Sequence, residues 1–172
     1  MFKLITILFP LFLLADTGTL IKIVDGDTLN FNTNSKIVKC RIEYIDTPES
    51  SNNNKNKRDV KNCKNVSQKD MKSAGKSATR AATRLLTLNK QYEYEVSDKD
   101  HYERSICVVK LDEVTFNEQM ILNGYAVPYR QYMNQSELRH YNFLLSTAKA
   151  NKAGLWKDRK EVIECLDKAR KR

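Results

Sequence analysis

The stretch Arg41-Ile-Glu-Tyr-Ile-Asp-Thr-Pro-Glu49 decides how this chain is read. The residues leading into it alternate. Val38, Cys40, Ile42 and Tyr44 fall on one face, and Lys39, Arg41 and Glu43 on the other. A period of two marks a half-buried strand. That strand holds Arg41 away from the apolar row and runs into Asp46-Thr47-Pro48-Glu49. Proline donates no ladder hydrogen bond, so the chain leaves the sheet there. A cation and carboxylates are thereby gathered at one strand end, an arrangement suited to a doubly charged metal ion beside an anionic substrate.

Working outward, Thr19 to Val24 reads as a first strand, Asp25-Gly26 as a turn, and Thr28 to Asn32 as a second strand. Lys36 to Ile45 is the third. Ser50 to Ala74 carries six asparagines, seven Lys/Arg and two Asp, a local charge of +5, and reads as a long polar loop. Gly75 to Leu88 is a helix, with Ala78, Ala81, Ala82, Leu85 and Leu86 as its apolar stripe. Gln91 to Val96 and Ser105 to Leu111 are the fourth and fifth strands. Thr115-Phe-Asn-Glu118 is a capping box for a short helix ending at Gly124. Ser136 is placed to cap a last helix, with Leu138, Tyr141, Leu145 and Ala148 facing inward. The tail from Lys157, with seven basic and four acidic residues, reads as a short helix outside the core. This order predicts an α+β fold, mainly β barrel: an OB-type five-stranded barrel with about three helices.

The 172 residues suit one domain with a real core. A net charge of +9 and a pI near 9.4 fit either an anionic partner such as nucleic acid or a soluble basic surface. Met1 to Leu14 holds Lys3 and then an apolar run too short to span a bilayer, which needs about 20 residues. It fits a secretory leader cut after Ala15; an uncleaved anchor or a first strand are the other readings. Its loss removes only Lys3, taking the charge from +9 to +8. The expected organisation is a signal peptide over 1–15, a barrel domain over 16–156 and a basic extension over 157–172. The four cysteines, Cys40, Cys63, Cys107 and Cys165, allow two disulfides in an exported protein, with the connectivity open. Cys40 and Cys107 equally suit plain core positions. With no CxxC and two histidines, a zinc site has little support.

Taken together the motifs form a pattern. Asp25-Gly26-Asp27-Thr28, then Arg41 with Asp46-Thr47-Pro48-Glu49, then Arg104, then Asn123-Gly124-Tyr125-Ala126, then Gly154-Leu155-Trp156, stand in one order. The set resembles the staphylococcal nuclease (thermonuclease) family, over roughly Thr17 to Trp156. The resemblance implies a calcium-dependent nuclease, active on single- and double-stranded DNA and on RNA, that hydrolyses the 5′ P–O bond and leaves 3′-phosphate products. It implies that Asp27 and Asp46 ligate Ca²⁺, that Thr47 adds its backbone carbonyl, and that Asp25 supports them. Two carboxylates with a carbonyl and waters suit a hard divalent ion. It assigns Arg41 and Arg104 to a phosphate clamp, for which planar guanidinium donors are matched. Such donors at a developing negative charge contribute roughly 3 kcal/mol each. Glu49 is the candidate general base, or else a loop carboxylate after Pro48. Tyr102 matches a position that helps hold a terminal phosphate or sugar. Tyr129 is a candidate stacking platform, although Arg130 follows it where the family pattern has a tyrosine. His101 and His140 read as surface residues.

The Ser50–Ala74 stretch is longer than the corresponding segment of a member of the family it resembles. It either tracks a nucleic-acid backbone or is a solvated loop. The expected protein is a monomer, secreted or periplasmic, with no stable membrane integration once the leader is gone. The rival readings are a catalytically inactive OB-fold nucleic-acid-binding module and a basic coat protein. Both bind without cutting.

Overall fold

The computed structural model describes residues 15–170, except 35 and 62. In chain order the strands and helices begin with β1 (Asp16–Asp25), β2 (Thr28–Thr33), β3 (Lys36–Ile42) and β4 (Ile45–Asp46). Two helices follow, α1 (Asn54–Lys61) and α2 (Gln68–Leu85), then β5 (Gln91–Lys99), β6 (Ser105–Leu111) and β7 (Val114–Thr115). The chain continues with α3 (Phe116–Leu122), β8 (Val127–Pro128), a 3-10 turn (Arg130–Tyr132), α4 (Gln135–Ala150), α5 (Leu155–Asp158) and α6 (Lys160–Ala169).

Strands β1, β2 and β3 form an antiparallel meander, β5 pairs with β1, and β6 with β5. The barrel closes where β6 runs parallel to β3, with Cys40 opposite Ser105 and Ile42 opposite Cys107. This is the expected five-stranded OB-type barrel. Its interior follows the period-two pattern: Leu20, Leu29, Phe31, Cys40, Ile42 and Val109 are buried, and Phe31 stacks on Tyr94 at 4.9 Å. A Cys40–Cys107 disulfide staples the closing seam, and a Cys63–Cys165 disulfide ties the segment after α1 to α6.

The third strand is shorter than the alternation suggests. It ends at Ile42, and Tyr44 adopts φ 62° before β4 begins. Tyr44 leaves the sheet because its hydroxyl donates to Glu137 on α4 at 2.8 Å and its ring tilts against Tyr141. Asp46 thus enters a separate two-stranded pairing, β4 with β8.

Six helices surround the barrel among the described residues, against about three expected. One of them, α1, and the first turns of another, α2, come from the stretch read as a loop. Helix α1 starts where the Asn53 side chain accepts from the Asn56 amide at 2.8 Å. Helix α2 starts at a Ser67–Asp70 capping box, seven residues before Gly75. Its first turns extend the stripe through Met71 and Ala74, which polar neighbours obscure in the sequence. The box at Thr115 and Glu118 caps α3 as read, whereas α4 is capped by Asn134 with Glu137 rather than by Ser136. Tyr141, Leu145 and Ala148 are buried and Leu138 is half-buried.

Helix α6 is not outside the core. Val162, Ile163 and Leu166 are buried in it, and Asp167 accepts from Arg130 at 2.9 Å and from Lys149 at 2.8 Å. No described helix is long and apolar enough to cross a membrane. The leader read over 1–15 falls, save Ala15, outside the described residues.

Candidate active site

Strand register builds the site. Thr28 is paired with Arg41, so the end of the Asp25–Thr28 turn lies against the clamp strand, and the Ile42 amide donates to the Asp27 carbonyl at 2.9 Å. Small residues then let α2 cover both acidic loops. A Cβ on Gly26 would lie 2.9 Å from Ala78 Cβ and 2.9 Å from Thr47 Cγ2. A Cβ on Gly75 would collide with the Glu49 backbone. The helix can sit there only because neither glycine carries a side chain.

Asp27, Asp46 and Thr47 are buried at the convergence of these elements. Arg41 bridges the two carboxylates, Nη1 to Asp27 Oδ2 at 3.1 Å and Nη2 to Asp46 Oδ1 at 2.8 Å. Thr47 donates to Asp27 Oδ2 from its amide at 2.7 Å and its hydroxyl at 2.9 Å. Asp25 accepts the Asp27 amide at 3.1 Å. Burial, reinforced by the Asp27 carboxylate beside it, pushes the Asp25 carboxyl up to about 7. Burial would also raise Asp46, but Lys55, Arg170 and Arg41 together hold it below the usual carboxylate range. Burial would lower Arg41, and Asp27 and Asp46 outweigh it.

The other candidates stand at the border. Arg104 immediately precedes β6, in which Ser105 is paired with Cys40 and Ile106 with Arg41, so it sits at the entry to the strand adjoining Arg41. The Arg104 guanidinium rests on Asp100, at 2.8 Å from Nε and 2.7 Å from Nη2, and lies 5.6 Å from the Tyr102 ring centroid. Tyr102 is 70% exposed, its ring against His101. The Tyr129 amide donates to the Tyr44 carbonyl at 2.8 Å, and its ring lies 5.9 Å from Arg170 Cζ. His140 is engaged with Glu118 at 2.6 Å.

Three residues of the cluster are not foreseen in the sequence: Lys55, Asp59 and Arg170. Lys55 Nζ lies 2.6 Å from Glu49 Oε1, 3.2 Å from Asp46 Oδ1, 3.3 Å from the Thr47 carbonyl and 3.7 Å from Asp59 Oδ2. Arg170 reaches Asp46 Oδ2 at 2.9 Å and forks onto both oxygens of Asp59 at 2.8 and 2.9 Å. Lys55 and Asp59 stand four apart on α1, an ion-pair spacing visible only once the stretch is known to be helical. Nothing local marks Arg170.

A sequence profile described as "Staphylococcal nuclease homologue" matches residues 39–158. This chain belongs to the staphylococcal nuclease homologues. It is 29% identical over 150 residues to an uncharacterised endonuclease of Haemophilus influenzae, spanning 86% of this chain and 70% of that one. It is 26% identical to the micrococcal nuclease of Shigella flexneri, over 82% and 74% of the two chains. The thermonuclease of Staphylococcus hyicus is 30% identical over 64% of this chain and 57% of its own.

As a nuclease-family chain it presents oxygen donors of the hard type. Among the described residues no three carboxylate or imidazole groups form a ready-made metal site. Instead Asp46 Oδ1, Thr47 O and Glu49 Oε1 converge on the Lys55 ammonium. Carboxylate and carbonyl oxygens of this kind fit a hard divalent cation such as Ca²⁺.

Proposed function

We propose that this protein is a calcium-dependent nuclease that hydrolyses phosphodiester bonds of DNA and RNA by in-line attack of water, leaving 3′-phosphate products. The observation that carries this reading is Arg41 held between two buried carboxylates, with the Glu49 loop packed against Gly75 beside them. A buried guanidinium fixed from behind needs no reorganisation when an anionic phosphate arrives in front of it. Asp27, Asp46 and the Thr47 carbonyl would hold the ion. When bound, Ca²⁺ supplies positive charge for the phosphate oxygens. Glu49 orients and deprotonates the attacking water. Arg41 and Arg104 take the phosphate oxygens, Arg104 by exchanging Asp100 for substrate. Tyr102 contacts the terminal phosphate or sugar, and Tyr129 stacks on a base. The basic charge, +9 for the full chain and +8 without the leader, favours single- and double-stranded substrates alike. We further propose that the protein acts as a monomer after export, in the secreted or periplasmic compartment, where both disulfides persist.

The test is hydrolysis of single-stranded DNA with Ca²⁺ and with a chelator, beside Arg41→Ala and Glu49→Gln. Cutting should require calcium and fall at least about a hundredfold in each variant. Tight binding without cutting, unchanged by either substitution, would make the barrel a binding module.

A further inference from the structure

We propose that Lys55 is the resident cation of the acidic cluster, and that a divalent ion binds there by displacing its ammonium, so that helix α1 sets the ion concentration at which the site loads. This rests on the calcium reading above and concerns a residue that the family motifs do not contain.

The geometry supports exchange rather than addition. The oxygens nearest Lys55 Nζ are Glu49 Oε1 at 2.6 Å, Asp46 Oδ1 at 3.2 Å and Thr47 O at 3.3 Å. Two of these belong to the residues assigned to the ion and the third to the candidate base. An ion on Asp46 Oδ1 and Thr47 O would stand where Nζ stands. Charge points the same way. Asp27, Asp46, Glu49 and Asp59 face Arg41, Lys55 and Arg170. A divalent ion in place of the ammonium makes those groups neutral, whereas one added beside it leaves excess positive charge in a buried site.

Lys55 is also the cation able to leave. Arg41 and Arg170 are planar forks fixed on two carboxylates each, with side chains 14% and 10% exposed. Lys55 is a point charge on a flexible stem, 26% exposed, and strongly hydrated when released. The helix itself is held by the Asn53 cap and, after its end, by the Cys63–Cys165 disulfide, so withdrawal asks for a side-chain movement alone.

Calcium binding by the full chain is measured calorimetrically for wild type, Lys55→Met and Lys57→Met. Lys57 is exposed on the same helix and controls for loss of one positive charge. Lys55→Met should bind calcium about tenfold tighter or more, a gain of about 1.4 kcal/mol, and Lys57→Met within about twofold of wild type. Equal affinity in the two variants, or weaker binding by Lys55→Met, overturns the exchange while leaving the calcium reading intact. Absence of binding in all three proteins overturns both. Wild-type protein gives a second readout that needs no variant. An ordered lysine ammonium resonance, protected from solvent exchange, should be present in chelator and vanish on calcium saturation; its persistence overturns the exchange.

Discussion

Asp25 shows how a single carboxyl is set by its surroundings. It is buried against Asp27, so its folded-state pKa is about 7, against an ordinary value of 3.8. The sign follows from linkage. Below about pH 3 the carboxyl is protonated folded and unfolded, and costs nothing. Between 3.8 and 7 the unfolded chain has lost its proton and the folded chain has kept it, so stability falls as pH rises. Above 7 the cost is constant, on the order of 4 kcal/mol. Asp25→Asn keeps an acceptor for the Asp27 amide and removes the charge. In chelator it should melt with wild type at about pH 3 and several degrees above it at about pH 8. A melting difference independent of pH would show that Asp25 is not held protonated. The same scale explains why Arg41 was legible: an arginine in the outward row of an amphipathic strand, five residues before Asp46, meets that carboxylate at the strand end.

At the scale of elements, the contact of α2 with the acidic loops depends on Gly75 and Gly26. Gly75→Ala must move the Glu49 backbone or the helix, because the added methyl overlaps main-chain atoms that cannot rotate away. The substitution should cost about 1–3 kcal/mol of stability and, by displacing the candidate base, lower the cleavage rate at least about tenfold. A variant that melts lower yet cuts at the wild-type rate would place the Glu49 loop outside the chemistry. The helices were unevenly legible. Helix α3 was read from its capping box because the cap is local. Helix α1 was not, because Asn-Lys-Asn-Lys-Arg-Asp-Val-Lys has no apolar period to follow. It is a helix through its Asn53 cap and its contacts with α2 and α6.

At the scale of the molecule, charge is the quantity to test. Deleting Ser50–Ala74 removes Lys55, Asp59 and the first turns of α2, so a deletion cannot isolate a backbone-tracking role. Neutralising the exposed Lys57, Arg58 and Lys61 on α1 leaves those residues in place. If this face follows the phosphate chain, the slope of log affinity against log salt for single-stranded DNA should become shallower by about 1–2. An unchanged slope would assign the nucleic-acid path to another face. Closure of the barrel was foreseen only as a fold class. The parallel β3–β6 pairing, which sets the turn carrying Arg104 at the entry to the strand beside Arg41, joins residues far apart in the chain, and no local pattern encodes it.

By itself the sequence determined the order of the five barrel strands along the chain, the barrel class and the α3 cap, because alternation and turn chemistry are local properties. Only the tertiary structure decided which cysteines meet, that the tail helix enters the core, and that Lys55 and Arg170 stand on Asp46. Those outcomes arise from packing between distant segments. Burying Asp46 there stabilises the fold only when cations arrive from elsewhere in the chain, and their identity is fixed by which helices cover the site.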